Sequence, residues 1–383
     1  MSDGCTPAMT PSAEASILLL SPIGGYGGFN TSVHRMDALA SIFASLEVVD
    51  STEAHQSRWG NTVARLRAWL FRRGFDVRCA GTPRDAGRLL DAAMQRGWDV
   101  IWLEKALTID ARTVRELRRA CPRACIIGFS PDDMSARHNQ SAQFLDALPL
   151  YDAFLTTKSY NVAELAAAGC GNVMFVGNGY DPVAFRPVAI SDDDRRRLGG
   201  DIGFIGSFEA ARFETMQQLA DAGLHVRVWG DGWEGVQARG PNLVIERRPL
   251  RGDDFAAACA AFKVNLGFLR RLNRDQQTTR SVEIPACGGF MLAERTDEHR
   301  ALFVEGVEAE FFGDFEELLR KCRAYLADES ARIAVAGAGL RRCRQSGYSN
   351  EARLRTALAE LGLLRSDAHT RPARLPSAPR GAT

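Results

Sequence analysis

The 383-residue sequence has almost no net charge: 48 lysines and arginines face 47 aspartates and glutamates, a formal balance of +1. A general nucleic-acid binder carries a strong basic footprint, so that class is excluded and any polyanion contact must be local. Long apolar runs are missing too. Ile17–Leu20 is far too short for a signal h-region or a membrane span, and residues 1–16 carry no positive n-region. There is no Cys-x-x-Cys pair. The nine cysteines are scattered, an odd number with no histidine cluster beside them, which reads as reduced thiols in a cytoplasmic protein. Cys121 and Cys125, the closest pair, flank a proline at the start of an apolar run, and a structural role outweighs a metal or redox one.

What is present is an ordinary globular composition, 45% hydrophobic and 25% charged, on a chain long enough for two domains with proper cores. Ile17–Leu20, Asp99–Leu103, Ala124–Phe129, Ala153–Thr156 and Val173–Val176 are apolar without alternation, as in strands buried on both faces. Amphipathic stretches such as Val33–Leu46, Val63–Leu70 and Thr113–Arg119 separate them. This alternation implies a parallel sheet covered by helices. After the polar segment Pro187–Gly200 a second series begins: Ile202–Ile205, Val226–Trp229, Leu243–Ile245, Val264–Phe268 and Phe290–Leu292. Two doubly wound α/β domains in tandem follow. Asp192–Asp194, followed by three arginines, reads as a solvated helix start rather than a metal site. Leu354, Leu358 and Leu361 mark a final helix, and 366–383 has the composition of a disordered tail.

In open parallel sheets ligands bind beyond the carboxyl ends of the strands, so the loops there carry the candidate chemistry. The first, Ser21–Thr31, offers Gly24, Gly25 and Gly27 ahead of a helix, a plausible phosphate or sugar cradle. A dinucleotide fingerprint would need a third glycine where Asn30 stands; with Asp50 at about the spacing of a ribose-binding acid, an NAD-binding enzyme stays open, as does a ligand-free turn. The second loop, Ile205–Glu214, puts Arg212 in a first helical turn, where a cation opposes the helix dipole unless an anion compensates it; a ligand and a salt bridge to Glu209 are the two readings. The third runs from Leu269 to Gly289. Thr278, Thr279 and the backbone around them can donate to a diphosphate, Arg274 and Arg280 can balance its charge, and Glu283 suits a pair of ribose hydroxyls or else caps its own helix. Trp229-Gly-Asp-Gly-Trp233 offers either a stacking surface or core tryptophans beside a turn.

Taken as a set, Ser130–Met134 with Asn139–Ser141, Leu148–Asp152, Thr156–Leu165, Ile205–Ser207, Gly230–Trp233, Thr279–Gly289 and Leu302-Phe303 with Glu305-Gly306 carry a likeness. In them the sequence resembles the nucleotide-sugar glycosyltransferases of GT-B architecture, in particular the CgeB-like (spore-maturation-protein-like) group, over about residues 17–360. The resemblance implies two Rossmann-like doubly wound domains facing across a cleft: 1–185 on the acceptor side, a linker at 186–200, a nucleotide-sugar-binding domain at 201–348, and a helix at 349–365 packing across the domains.

The same resemblance implies sugar transfer from a nucleoside diphosphate to a hydroxyl acceptor, leaning towards retention, with no cofactor and no bound metal. The acceptor, whether glycan, lipid, protein or metabolite, is left open. Of the two glutamates that face the donor in this superfamily, the second matches Glu283, while Asp275 stands at the first, a shorter side chain. The basic pair of the first donor-domain loop is reduced to Ser207 and Arg212, so Arg212 and then Arg280 are the expected catalytic groups, with Gly206, Ser207, Gly230 and Trp233 around the nucleotide sugar. In the first domain His34, Asp132, Asp133 and His138 are candidate acceptor contacts, the aspartates alternatively helix caps. A silent carbohydrate- or nucleotide-binding protein of the same fold is the rival from another class.

Overall fold

The computed structural model describes residues 15–24, 30–52, 63, 66, 69–75 and 84–364. They divide into two compact units, one made of the described residues up to Gly177 together with those from Asn350 onward, the other of Asn178–Ser349.

The first unit is built on a parallel sheet of β1 (Ser16–Ser21), β2 (Ser45–Asp50), β3 (Val100–Glu104), β4 (Cys125–Ser130), β5 (Ala153–Thr156) and β6 (Val173–Phe175), in the order β2-β1-β3-β4-β5-β6. Its central strands lack alternation because both faces are covered. Leu18, Leu20, Ile101 and Leu103 pack with Leu89, Leu117 and Phe144 on one side; Ile17, Leu19, Val100 and Trp102 pack with Leu39, Leu354 and Leu358 on the other. The last helix, Asn350–Glu360, therefore completes the core of this unit, and it lies along the helix Thr31–Ile42. That first helix ends earlier than the Val33–Leu46 periodicity predicts. Leu46 belongs instead to β2, a strand at the sheet edge that is partly buried except for the core residue Val49, and where Leu, Val and Val are interrupted by Glu47.

The second unit has a parallel sheet of β7 (Gly200–Ile205), β8 (Val226–Trp229), β9 (Leu243–Ile245), β10 (Phe262–Gly267), β11 (Met291–Glu294) and β12 (Glu310–Phe312), ordered β12-β11-β10-β7-β8-β9. Counted within the unit this is 3-2-1-4-5-6, the doubly wound order whose direction reverses between its first and fourth strands. Those strands are β7 and β10; Arg212 lies in the first turn of the helix that follows β7, Ala210–Asp221, and the loop after β10 carries the segment from Leu269 to Thr279. Before β7 the helix Asp192–Leu198 is fixed by a capping box between Ser191 and Asp194, and Arg197 binds Asp194 and, from the next helix over, Asp254. The aspartate triplet thus forms a charged helix start, as its composition predicts. The seven described cysteines are free thiols, and no helix among the described residues is long and apolar enough to cross a membrane. The tail expectation for 366–383, Gly25 and Gly27 lie outside the described residues.

Candidate functional site

In the second unit, one short loop gathers most of the residues singled out from sequence. Each of three consecutive carbonyls, from the last residue of β7 into the loop beyond it, receives a side-chain donor: Ile205 O from Arg280 Nε at 3.2 Å, Gly206 O from Trp233 Nε1 at 2.9 Å, and Ser207 O from Arg212 Nη1 at 3.1 Å. The two guanidiniums are thereby held over neighbouring residues at the strand switch. Gly230, with φ at +152°, makes this possible, since a Cβ there would overlap the Gly206 carbonyl. Trp233 is 0% exposed and buried beside Phe204 and Phe208. Its ring is part of the core and its N–H is committed to the loop, so the stacking surface expected of it is not offered.

Arg212 is 7% exposed. The salt-bridge reading of its position holds: Glu209 Oε1 lies 3.2 Å from Nη2, while Nε is buried without a hydrogen-bond partner. Burial pulls its pKa below the ordinary arginine value, with Glu209 opposing and Arg270 adding to the shift. An unpaired buried donor costs on the order of 1–3 kcal/mol, which an anionic oxygen would recover. Glu209 also binds Arg270 Nε at 3.1 Å, joining this loop to the one after β10. There Asp275 is 8% exposed; it accepts from Asn273 Nδ2 at 2.9 Å and from the Arg270 N–H at 3.4 Å. Its carboxylate organises the turn that ends at Arg274, whose φ of +45° is left-handed and whose side chain is exposed.

Glu283 is 2% exposed on the helix Arg280–Ala286 and is paired with Arg280, one turn earlier. It does not cap that helix, because Thr279 occupies the cap position without a side-chain bond. Arg280 also lies over the Phe255 ring at 4.4 Å. The Thr278 N–H is taken by Ser281 Oγ at 3.0 Å, which corrects the expectation that it is available to a diphosphate; the Thr278 and Thr279 side chains are half-buried.

Three groups escaped the sequence reading. Glu294, the last residue of β11, is buried enough to raise its carboxyl above the usual range, against the opposing pull of the Leu269 N–H, Arg271 and Arg212. Extending the apolar run Phe290–Leu292 by two residues to the strand end would have found it. Ser281 and His299 form a buried pair, Oγ to Nε2 at 2.7 Å, that no spacing signals because 18 residues separate them.

In the first unit Gly24 sits against Asp50, whose Oδ2 a Cβ would meet at 2.5 Å. Asp50 itself accepts the Thr52 N–H at 2.8 Å; burial would raise its pKa, and the bonds from Thr52, Gly24 and Ile23 outweigh that and lower it. Its carboxylate is thus engaged in its own loop. Asn30 caps the helix Thr31–Ile42 by accepting the Ser32 N–H at 3.0 Å and donates to Pro22 O at 2.6 Å. His34 is buried on this helix, which is tied to the end of β3 by the Arg35–Glu104 ion pair and by Ser32 Oγ donating to Glu104 at 2.6 Å. In the loop after β4, Asp132 pairs with Lys105 at 2.8 Å. Asp133, 0% exposed, accepts the N–H groups of Ser135 and Ala136 and the Asn161 amide, so its carboxylate closes a turn; the helix that follows, Arg137–Asn139, has Ala136 at its cap, and Asp133 is not a helix cap. His138 is half-buried in the single turn Arg137–Asn139.

Solved structures of similar fold include Alr3699/HepE of Anabaena in complex with UDP-glucose, with TM-score 0.60, 13% identity, and coverage of 91% of this chain and 100% of that one. The E. coli trehalose-6-phosphate protein bound with UDP-2-fluoro glucose gives 0.62, 12% identity, and 91% and 99% coverage. A trehalose-6-phosphate synthase, studied for glycosyltransfer with retention, gives 0.60, 11% identity, and 92% and 99% coverage. The chain has the GT-B fold. Both Rossmann-like units of that fold are accounted for by the two six-stranded sheets. Within it, residues 212–359 match the family model described as glycosyl transferase-like, a stretch that begins at Arg212 and contains Asp275, Arg280 and Glu283. Among curated proteins no sequence relative matches.

Proposed function

We propose that this GT-B protein is a glycosyltransferase that moves a sugar from a nucleoside diphosphate sugar to a hydroxyl acceptor, with retention, without a metal ion and with no cofactor beyond the donor. The single observation that carries this reading is the pair of guanidiniums held over Ile205–Ser207 at the strand switch, one of them buried with an unpaired N–H. Within the glycosyltransferases, the segments quoted above favour the CgeB-like group.

Breaking the anomeric C–O bond leaves its electron pair on the departing diphosphate, while the acceptor oxygen forms the new C–O bond and passes its proton to that diphosphate oxygen. Groups fixed beforehand where that charge develops lower the barrier more than they tighten binding. Arg212 suits this task because its charge is little screened by water, and Arg280 is the second such group. Two arginines in this position supply the neutralisation that a cation would otherwise provide. Glu283 accepts hydrogen bonds only, and a ribose diol is its natural partner beside Arg280. Retention draws support from the trehalose-6-phosphate synthase of similar fold. Acceptor contacts fall to the first unit, where Gly24, His34, Asp132 and His138 are the candidates.

The test is to incubate the full chain, with chelator present, with UDP-, GDP- and dTDP-sugars and a panel of hydroxyl acceptors, following nucleotide release and the anomeric configuration of any product. Release with at least one donor and a product of unchanged configuration is expected. Arg212→Ala should then slow turnover by about 10² to 10³, the worth of one oriented donor at a developing charge. Nucleotide binding without release from any donor would make the protein a silent binder, and no binding at all would end the reading.

A further inference from the structure

The segment that bears the donor-side residues is held from beneath by one strip of chain, Glu294–His299, which joins β11 to the next helix. Thr296 Oγ1 donates to Gln276 O at 2.5 Å, Gln277 Nε2 donates to Glu298 Oε2 at 2.7 Å, and Ser281 meets His299. His299 is 1% exposed and stacks on Phe311 at 5.4 Å with an interplanar angle of 4°. Its Nδ1 lies 2.6 Å from Glu294 O.

A carbonyl oxygen only accepts, so Nδ1 carries the ring proton and Nε2 offers a lone pair. The Ser281 hydroxyl must then donate to Nε2, which leaves its oxygen to receive the Thr278 N–H. The result is a one-way chain from Thr278 N–H through Ser281 Oγ–H to His299 Nε2. We propose that His299 is a positioning residue for the donor: locked as the Nδ1–H tautomer by Glu294 O, it fixes Ser281 and thereby the 278–283 segment that presents Thr279, Arg280 and Glu283. This rests on reading the second unit as the nucleotide-sugar lobe. His299 touches no substrate and acts only through Ser281.

Calorimetric titration of the full chain with UDP, GDP and dTDP, followed by steady-state kinetics with the best donor, tests it. Ser281→Ala and His299→Phe should each weaken nucleotide binding about tenfold, the worth of one buried hydrogen bond. Donor KM should rise accordingly, with acceptor KM unchanged, while the double variant is no worse than either single one. His299→Gln, which keeps an acceptor at the Ser281 hydroxyl, should recover most of the loss. Additive effects in the double variant, or wild-type affinity in Ser281→Ala, would overturn the proposal and leave the donor lobe standing. A wild-type chain that binds none of the three nucleotides would overturn both. Should the variants not fold, ¹⁵N chemical shifts of His299 in the wild-type chain decide, since an Nε2–H tautomer or an imidazolium near neutral pH contradicts the chain of donors.

Discussion

Lowering the pH should loosen the second unit in a window set by His299. Burial pulls its pKa from the ordinary 6.5 to about 4, against the opposing backbone bond to Glu294. Above the ordinary value the imidazole is neutral whether the chain is folded or not, and pH has no leverage through it. As pH falls below 6.5 towards 4, the unfolded chain takes up a proton that the folded one refuses, so stability is lost; near 4 and below the loss is complete. A shift of this size corresponds to about 3 kcal/mol. Nearby carboxylates are already engaged: Glu283 with Arg280, Glu298 with Gln277, and Glu310 with Lys321 and Tyr325. The salt-bridged Glu305 and Glu317, held down to about 2 chiefly by hydrogen bonds from Arg295, lose their contribution only below the ordinary carboxylate value of 4.5, so the two windows separate. Peptide-resolved hydrogen exchange over β11 and β12 reads this unit without interference from the other. His299→Gln, which cannot titrate there, should remove the fall across the window; the raised carboxyl of Glu294, protonated earlier in the folded chain than in the unfolded one, opposes that fall rather than causing it. Parallel falls in wild type and variant would refute the reasoning.

Other perturbations separate the site from its scaffold. Gly230→Ala should displace the Gly206 carbonyl, lowering nucleotide affinity and shifting the melting temperature of the second unit downward, as thermal scans with and without nucleotide would register. Arg212→Lys should recover little of the Arg212→Ala loss in turnover, because an ammonium cannot serve Ser207 O, Glu209 and a phosphate with the same fork. Leu358→Ala, at a fully buried position of the last helix, should cost about 2–5 kcal/mol in urea unfolding of the first unit and leave nucleotide binding by the second unchanged.

Most strands were legible as short, mainly apolar runs without alternation: β1, β3, β4, β5, β6, β7, β8, β9, β10 and β11 all grew from such runs. The edge strands β2 and β12 were not, since Glu47 and Glu310 interrupt or open them and the apolar signal is short. On the donor side, Arg212, Arg280, Asp275 and Glu283 stood out because charged residues in loops after apolar strands are conspicuous in one dimension. What they do to one another was hidden. Arg280 and Glu283 bind each other, Asp275 shapes a turn, and Trp233 is core, because each of these outcomes depends on which loop lies beside which at the strand switch. Polar groups that act from beneath, Glu294 and His299, sit in apolar or helical surroundings where sequence gives them no contrast.

The first unit closes only with Asn350–Glu360, after the chain has passed through the whole of the second. On the ribosome, therefore, the amino-terminal half must wait with part of its hydrophobic face uncovered, while residues 178–349 can already assemble into a finished lobe. Synthesis thus reverses the order of the sequence: the lobe made later matures sooner, and the earlier one is finished only when Asn350–Glu360 returns to it.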